Sequence, residues 1–292
     1  MGEVEKGRIF FLSHNWQIRM RMAKKKIDGV NFKQGEGYAT CHIDEFSEEL
    51  ESCLRSHLAT ICHGDHLASR GLKSYTYEST LIIFCERYEN KTDETKKGMI
   101  GELLCHVLFS EYFPEYEIIS PFFNMEEKSI RKGFDLVLYS RSEKNVWISE
   151  VKSGELLIND TPDKATQRYL DAGKKDLNRR LNENSNTFWL NAVNAACIAI
   201  SNCRDYKDAV IRILDQEGGA ALNHAAASSD NNVVFVSALF ADISDKFAEN
   251  IPKNFSRELQ SESLFERSFV FSVQKSTYDK IADFILREAC RA

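Results

Sequence analysis

Apolar positions recur along this chain with two periods, one near 3.6 and one of 2, and the switches between them mark its elements. Phe46, Leu50, Leu54, Leu58 and Ile61 are spaced by three and four, which predicts a helix with one buried face. Asp44 is its expected N-cap. The first forty residues are mixed. They carry a basic cluster of Arg19, Arg21, Lys24, Lys25 and Lys26, followed by the loop-like run Gln34-Gly35-Glu36-Gly37. Residues 63–75 read as a loop. The apolar run 80–88 is too short for its period to separate strand from helix. A polar break at Glu89–Lys97 divides an accessory region, 1–92, from a larger domain, 93–292.

Beyond the break the pattern sharpens. Met99, Ile100, Leu103, Leu104, Val107 and Leu108 predict a helix over 98–112, and Pro114 lies just past its end, where proline cannot continue a helix. Strands are predicted at 116–120, 134–139 and 145–152, the last two joined by the polar turn 140–144. A polar helix follows at 163–183, then helices at 187–200 and 205–216, strands at 233–240 and 268–273, and a closing helix at 276–290. This order predicts an α/β fold, a mixed central sheet flanked by helices.

Composition changes this picture little. An apolar fraction of 43% and a charged fraction of 28% are ordinary for a globular chain. No apolar run approaches the roughly 20 residues of a membrane span, and the N-terminus lacks a secretory pattern, so a cytoplasmic location is expected. Among eight cysteines, Cys85, Cys105 and Cys197 sit in apolar runs and read as buried hydrophobes. Cys53, His57, Cys62 and His66 form two tandem Cys-x3-His pairs, but the four residues between His57 and Cys62 are few for a zinc loop; ordinary helix and turn residues are the simpler reading. A net charge of −6 weighs mildly against nucleic-acid binding, yet a carboxylate-rich site subtracts from the total and a local basic stripe still holds phosphate.

The chemistry concentrates on two strands. Along 145–152 side chains alternate, so Val146, Ile148, Glu150 and Lys152 share a face. An acid and a base on an apolar strand are costly unless paired or metal-bound. Asp135 starts the preceding strand after Gly133. The turn near residue 142 sets antiparallel pairing that brings 135 opposite 149 or 150. Two carboxylates with a backbone carbonyl such as that of Val151 make an oxygen-rich site suited to Mg²⁺, with Mn²⁺ as a substitute. Glu102, on the flank of the preceding helix, is a third carboxylate candidate, with a surface glutamate of an amphipathic helix as the competing reading. Such a site would polarise a scissile phosphate and lower the pKa of a bound water, and Lys152 would orient that water or stabilise the charge of the transition state. Glu-x-Lys is itself uninformative, since Glu89/Lys91, Glu94/Lys96 and Glu126/Lys128 share the spacing in polar segments. The competing reading of Glu150/Lys152 is a salt bridge at a strand end. On the helix at 163–183, Lys164, Arg168, Lys175 and Arg179 form a basic stripe suited to a nucleic-acid backbone, with Lys174 and Arg180 on its edges. A solvated basic face shared with Asp163, Asp171 and Asp176 is the competing reading, and Gln167 faces the site if the helix packs beside the sheet. His14, His42, His63, His106 and His224 carry no telling spacing, and no P-loop or nucleophile elbow occurs.

The residues Gly133-Phe134-Asp135, Glu150-Val151-Lys152 and the upstream Glu102 resemble the PD-(D/E)XK nuclease superfamily. Glycine stands where the superfamily has proline. More narrowly, KKGMIGELLCHVLF, GFDLVLYS and VWISEVKSGEL resemble the HamA family, the small subunit of Hachiman anti-phage defence. The resemblance implies a restriction-endonuclease-like core with N- and C-terminal extensions. It implies metal binding at Asp135 and Glu150, catalysis by Lys152, and a carry-over to Glu102 by helix position alone. It also implies a DNase restrained by HamB, a superfamily 2 helicase. A non-catalytic docking or DNA-sensing subunit and an RNase of the same fold remain the alternatives.

Overall fold

A computed structural model describes residues 20, 25–122, 133–202, 204–276 and 278–292. Arg19, Arg21, Lys24, His14 and the Glu126/Lys128 pair lie outside the described residues.

Among the described residues, seven strands form one mixed sheet. They are β1 (Val30–Gln34), β2 (Tyr38–Ile43), β3 (Tyr116–Ile118), β4 (Leu136–Ser140), β5 (Asn145–Glu155), β6 (Asn232–Phe240) and β7 (Arg267–Lys275), in the order β1-β2-β7-β6-β5-β4-β3. The centre, β2-β7-β6-β5, is parallel, and both margins are antiparallel. Helices cover both faces, as a sheet with a parallel centre requires. One face carries α1 (Glu48–His63), α3 (Tyr77–Glu89), α4 (Asp93–Tyr112) and α9 (Asp279–Ala289). The other carries α5 (Pro162–Leu181), α6 (Thr187–Ala199), α7 (Lys207–Leu222) and α8 (Asn250–Glu262). A single turn of helix, α2 (Asp65–Ala68), interrupts the expected loop after α1. No helix among the described residues is long and apolar enough to cross a membrane.

The predicted α/β architecture is therefore present, with local corrections. Helix α1 is capped by Ser47, whose hydroxyl accepts from the Leu50 amide, and Asp44 precedes it. The ambiguous run 80–88 is helical within α3. Helix α4 begins at Asp93, inside the supposed polar break, because the Thr92 hydroxyl caps the Thr95 amide. Strand β5 runs past its predicted end at 152, through Ser153 and Gly154, since β6 pairs in parallel with it as far as Glu155. The hairpin β1–β2, with Gln34–Gly37 near its tip, and helix α8 went unpredicted. Strand β2 joins β7, so the sheet draws strands from both sides of residue 92.

Candidate active site

Strand β5 alternates as its sequence requires. Val146 and Ile148 pack under α5 with Leu170 and Leu177, while Trp147 packs under α4 with Leu136 and Leu138. Glu150 and Lys152 continue the first face. Glu150 is 1% exposed. Helix α5 passes over this pair at Gly173. A β-carbon there would stand 3.6 Å from Phe235 Cδ1 and 3.8 Å from the Cγ atoms of both Glu150 and Lys152, in ordinary contact with the pair.

The two acidic oxygens of Glu150 are both engaged. Lys152 Nζ donates to Oε1 at 2.9 Å, and Arg180 Nη1 donates to Oε2 at 2.7 Å. Lys152 also donates to Asp176 Oδ2 at 2.6 Å. Asp176 and Arg180, four residues apart on α5, thus face the sheet on either side of Leu177. Across the sheet, Leu136 pairs with Ser149, and extending that register sets Asp135 level with Glu150. Asp135 lies just before β4, and its Oδ2 accepts from the Val151 amide at 2.8 Å.

Burial pushes the Glu150 carboxyl up to about 7, with the charge of Asp135 adding to it and those of Arg180 and Lys152 opposing. Burial pulls the Lys152 ammonium down, but Glu150 and Asp176 outweigh that and hold it above its ordinary value. Asp176 is held low, chiefly by its hydrogen bond from Lys152. A donor set of two carboxylates that repel each other, one almost fully buried, fits a divalent cation, which would relieve both the repulsion and the burial cost.

The structure brings Asp135, Glu150 and Lys152 together. Glu102 is buried on α4, on the opposite face. It is near enough to Asp135 that both carboxylates raise the buried Cys105 thiol, after burial itself. Among the described residues, however, no three His, Cys, Asp or Glu side chains converge to hold a metal ion. The same holds for the Cys53, His57, Cys62 and His66 set. Cys53 and Cys62 are buried on α1, and His57 Nε2 bonds Glu111 Oε1 at 2.6 Å. Of the basic stripe, Lys164, Lys175 and Arg179 line the exposed side of α5, with Arg179 pairing to Glu183. Arg168 turns back to Asp160 at 2.7 Å. Gln167 donates to Asp171 along the helix instead of turning to the site.

The sequence reading missed Asp176 as the partner of Lys152 and Arg180 as the partner of Glu150. The available signal was their four-residue spacing beside Leu177 on the buried side of an amphipathic helix.

The family model described as HamA matches residues 20–289. No curated protein matches the chain.

Proposed function

Because the chain belongs to the HamA family and is a component of Hachiman defence, we propose that it is a metal-dependent nuclease acting on DNA. The observation that carries the reading is Glu150. This buried carboxylate shares a strand with Lys152 and stands level with a second carboxylate, Asp135, on the neighbouring strand.

Asp135 and Glu150 would hold Mg²⁺, or Mn²⁺ in its place, with the Val151 carbonyl as a further oxygen and Glu102 as an outlying acidic group. Bound there, the cation supplies Lewis-acid polarisation of the phosphodiester. The protein's own groups do the positioning. The Val151 amide fixes the Asp135 carboxylate. Arg180 balances the charge of Glu150 from above. An ammonium has three donors; Glu150 and Asp176 take two from Lys152, and the third serves the phosphate. Placed so, Lys152 orients the attacking water or stabilises the negative charge that grows on phosphorus. The exposed cations Lys164, Lys175 and Arg179 lie on the helix that roofs the site, where they would follow a phosphate backbone without reading bases. A superfamily 2 helicase of the same defence system is the proposed restraint on this activity.

One observation favours a second reading, a non-catalytic docking or DNA-sensing subunit. Both Glu150 oxygens are already satisfied by protein cations, as they would be in a purely structural ion pair. Cleavage assays separate the two. The purified chain is incubated with DNA or RNA in Mg²⁺, in EDTA, and as Lys152→Ala. Loss of DNA cleavage by a factor of about 100 or more in both the EDTA and variant arms is expected. Cleavage of RNA alone would assign an RNase. Silence in every arm, also after adding the helicase and ATP, would favour the docking subunit.

A further inference from the structure

Between the two elements that carry the site, β5 and α5, the chain runs through Leu156-Leu157-Ile158-Asn159-Asp160-Thr161. Three consecutive aliphatic side chains part company there. Leu156 turns inward against a small cluster of Ala165, Leu239 and Ala241. Leu157 and Ile158 turn outward, 59% and 94% exposed. Ile158 is the most exposed of the large hydrophobic side chains among the described residues, and such exposure is unfavourable in water.

The tip is not loose chain. The Asp160 amide donates to the Leu157 carbonyl at 3.0 Å, closing a turn over Ile158 and Asn159. Asn159 takes φ 64°, a left-handed conformation that asparagine accepts more readily than most residues. Asp160 accepts from the Thr161 amide at 3.0 Å and from Arg168 at 2.7 Å. Thr161 in turn caps α5 through the Lys164 amide. Tyr169 Oη donates to the Glu155 carbonyl at 2.8 Å, tying the other end of the loop to the helix. A rigid turn thus presents two aliphatic side chains to solvent, between the catalytic strand and the exposed cation Lys164.

We propose that Leu157 and Ile158 form a wedge that inserts between stacked bases of the nucleic acid held at the site, unstacking the strand presented for cutting. The inference rests on the nuclease reading above. Two side chains on one turn are far too small a patch for a stable protein interface, which takes about 800 Å² from each partner. Small apolar wedges beside a cation, by contrast, are a common way to part base steps. Lys164 holds the backbone and the apolar tip enters the stack.

The test is binding, not cutting, so that it stands apart from catalysis. Duplex DNA and its single strand, each carrying 2-aminopurine, are titrated with the full chain in EDTA, and 2-aminopurine brightens when unstacked. The wild-type chain is expected to brighten the duplex probe. Leu157→Ser/Ile158→Ser, checked for an unchanged circular dichroism spectrum and melting curve, is expected to lose the brightening and bind about tenfold more weakly. A double variant that brightens the probe as wild type does would overturn the wedge. So would a wild-type chain that binds without brightening, or fails to bind. If the variant keeps DNA binding and brightening but no longer retains the helicase, the tip is a partner contact and the proposal is wrong. Brightening without metal-dependent cleavage, also after the helicase and ATP are added, would instead sink the nuclease reading and overturn the wedge's role in cutting, leaving only a DNA-sensing contact.

Discussion

Replacing Glu150 by glutamine should make the metal-free protein more stable at alkaline pH while destroying its activity. In the fold, burial and the neighbouring Asp135 hold this carboxyl at about 7, against 4.5 ordinarily. Between those values the unfolded chain has released its proton and the folded chain still keeps it. Native stability therefore falls as pH rises through that window and levels off above about pH 7. At about 1.4 kcal/mol per pH unit, keeping Glu150 ionised costs the fold about 3 kcal/mol at pH 8. Arg180 and Lys152 are already counted in that balance, as the terms that oppose burial. Glutamine keeps the shape and never ionises. The variant should match wild type near pH 4.5 and exceed it at pH 8 by about 3 kcal/mol, which for a chain of this size raises the melting temperature by roughly 5 °C. Thermal melts in EDTA at both pH values measure this. Mg²⁺ should then raise the melting point of wild type and leave that of the variant unmoved. A variant less stable than wild type at pH 8 would refute the reasoning, since pairing with Lys152 and Arg180 would then outweigh the burial of the charge.

Two further outcomes follow from close packing and from a second buried charge. A β-carbon on Gly101 would stand 2.5 Å from the Ser153 Cβ, so Gly101→Ala forces α4, with Glu102, away from the strand that carries Lys152. Overpacking of about 1–3 kcal/mol outweighs a helix-propensity gain of about 1 kcal/mol. Adding Ser153→Gly should restore both melting point and cleavage, and a Gly101→Ala chain melting above wild type would contradict the packing. Lys275 is 1% exposed at the end of β7, its ammonium 5.7 Å from the Phe46 ring centroid, and burial, then Lys280, pull its pKa down to about 8. The charge is penalised in the fold below about pH 8, and that penalty fades as pH rises toward the unfolded value near 10.5. Lys275→Met should therefore gain about 3 kcal/mol at pH 7 and little at pH 10, read from urea midpoints. Equal gains at both pH values would show that shape, not charge, sets the cost.

The heart of the site was legible because its signals are local. Alternation along 145–152 put Glu150 and Lys152 on one face, and the short turn after β4 fixed a register that brings Asp135 level with Glu150. A two-residue period and a tight turn are properties of neighbouring residues, so sequence alone determined them. The same holds for α5, whose apolar spacing states which side is buried. Helix α4 was legible as a helix, but it is buried on every side from Met99 to Phe109, so its spacing names no single face. What lay beyond reach was decided by distant segments. Strands β1 and β2 join the sheet only through the parallel pairing of β2 with β7, more than two hundred residues away, and no turn between them advertises it. Ser153 and Gly154 stay in β5 because β6 supplies hydrogen bonds there. The rotation of α5 over the sheet, set by the packing of Leu170 and Leu177, made Asp176 and Arg180 partners of the site and sent Arg168 to Asp160. A helical period says that a face is buried; only tertiary packing says which charged groups at its margin meet the groups opposite, because their positions are fixed by an element the local sequence does not contain.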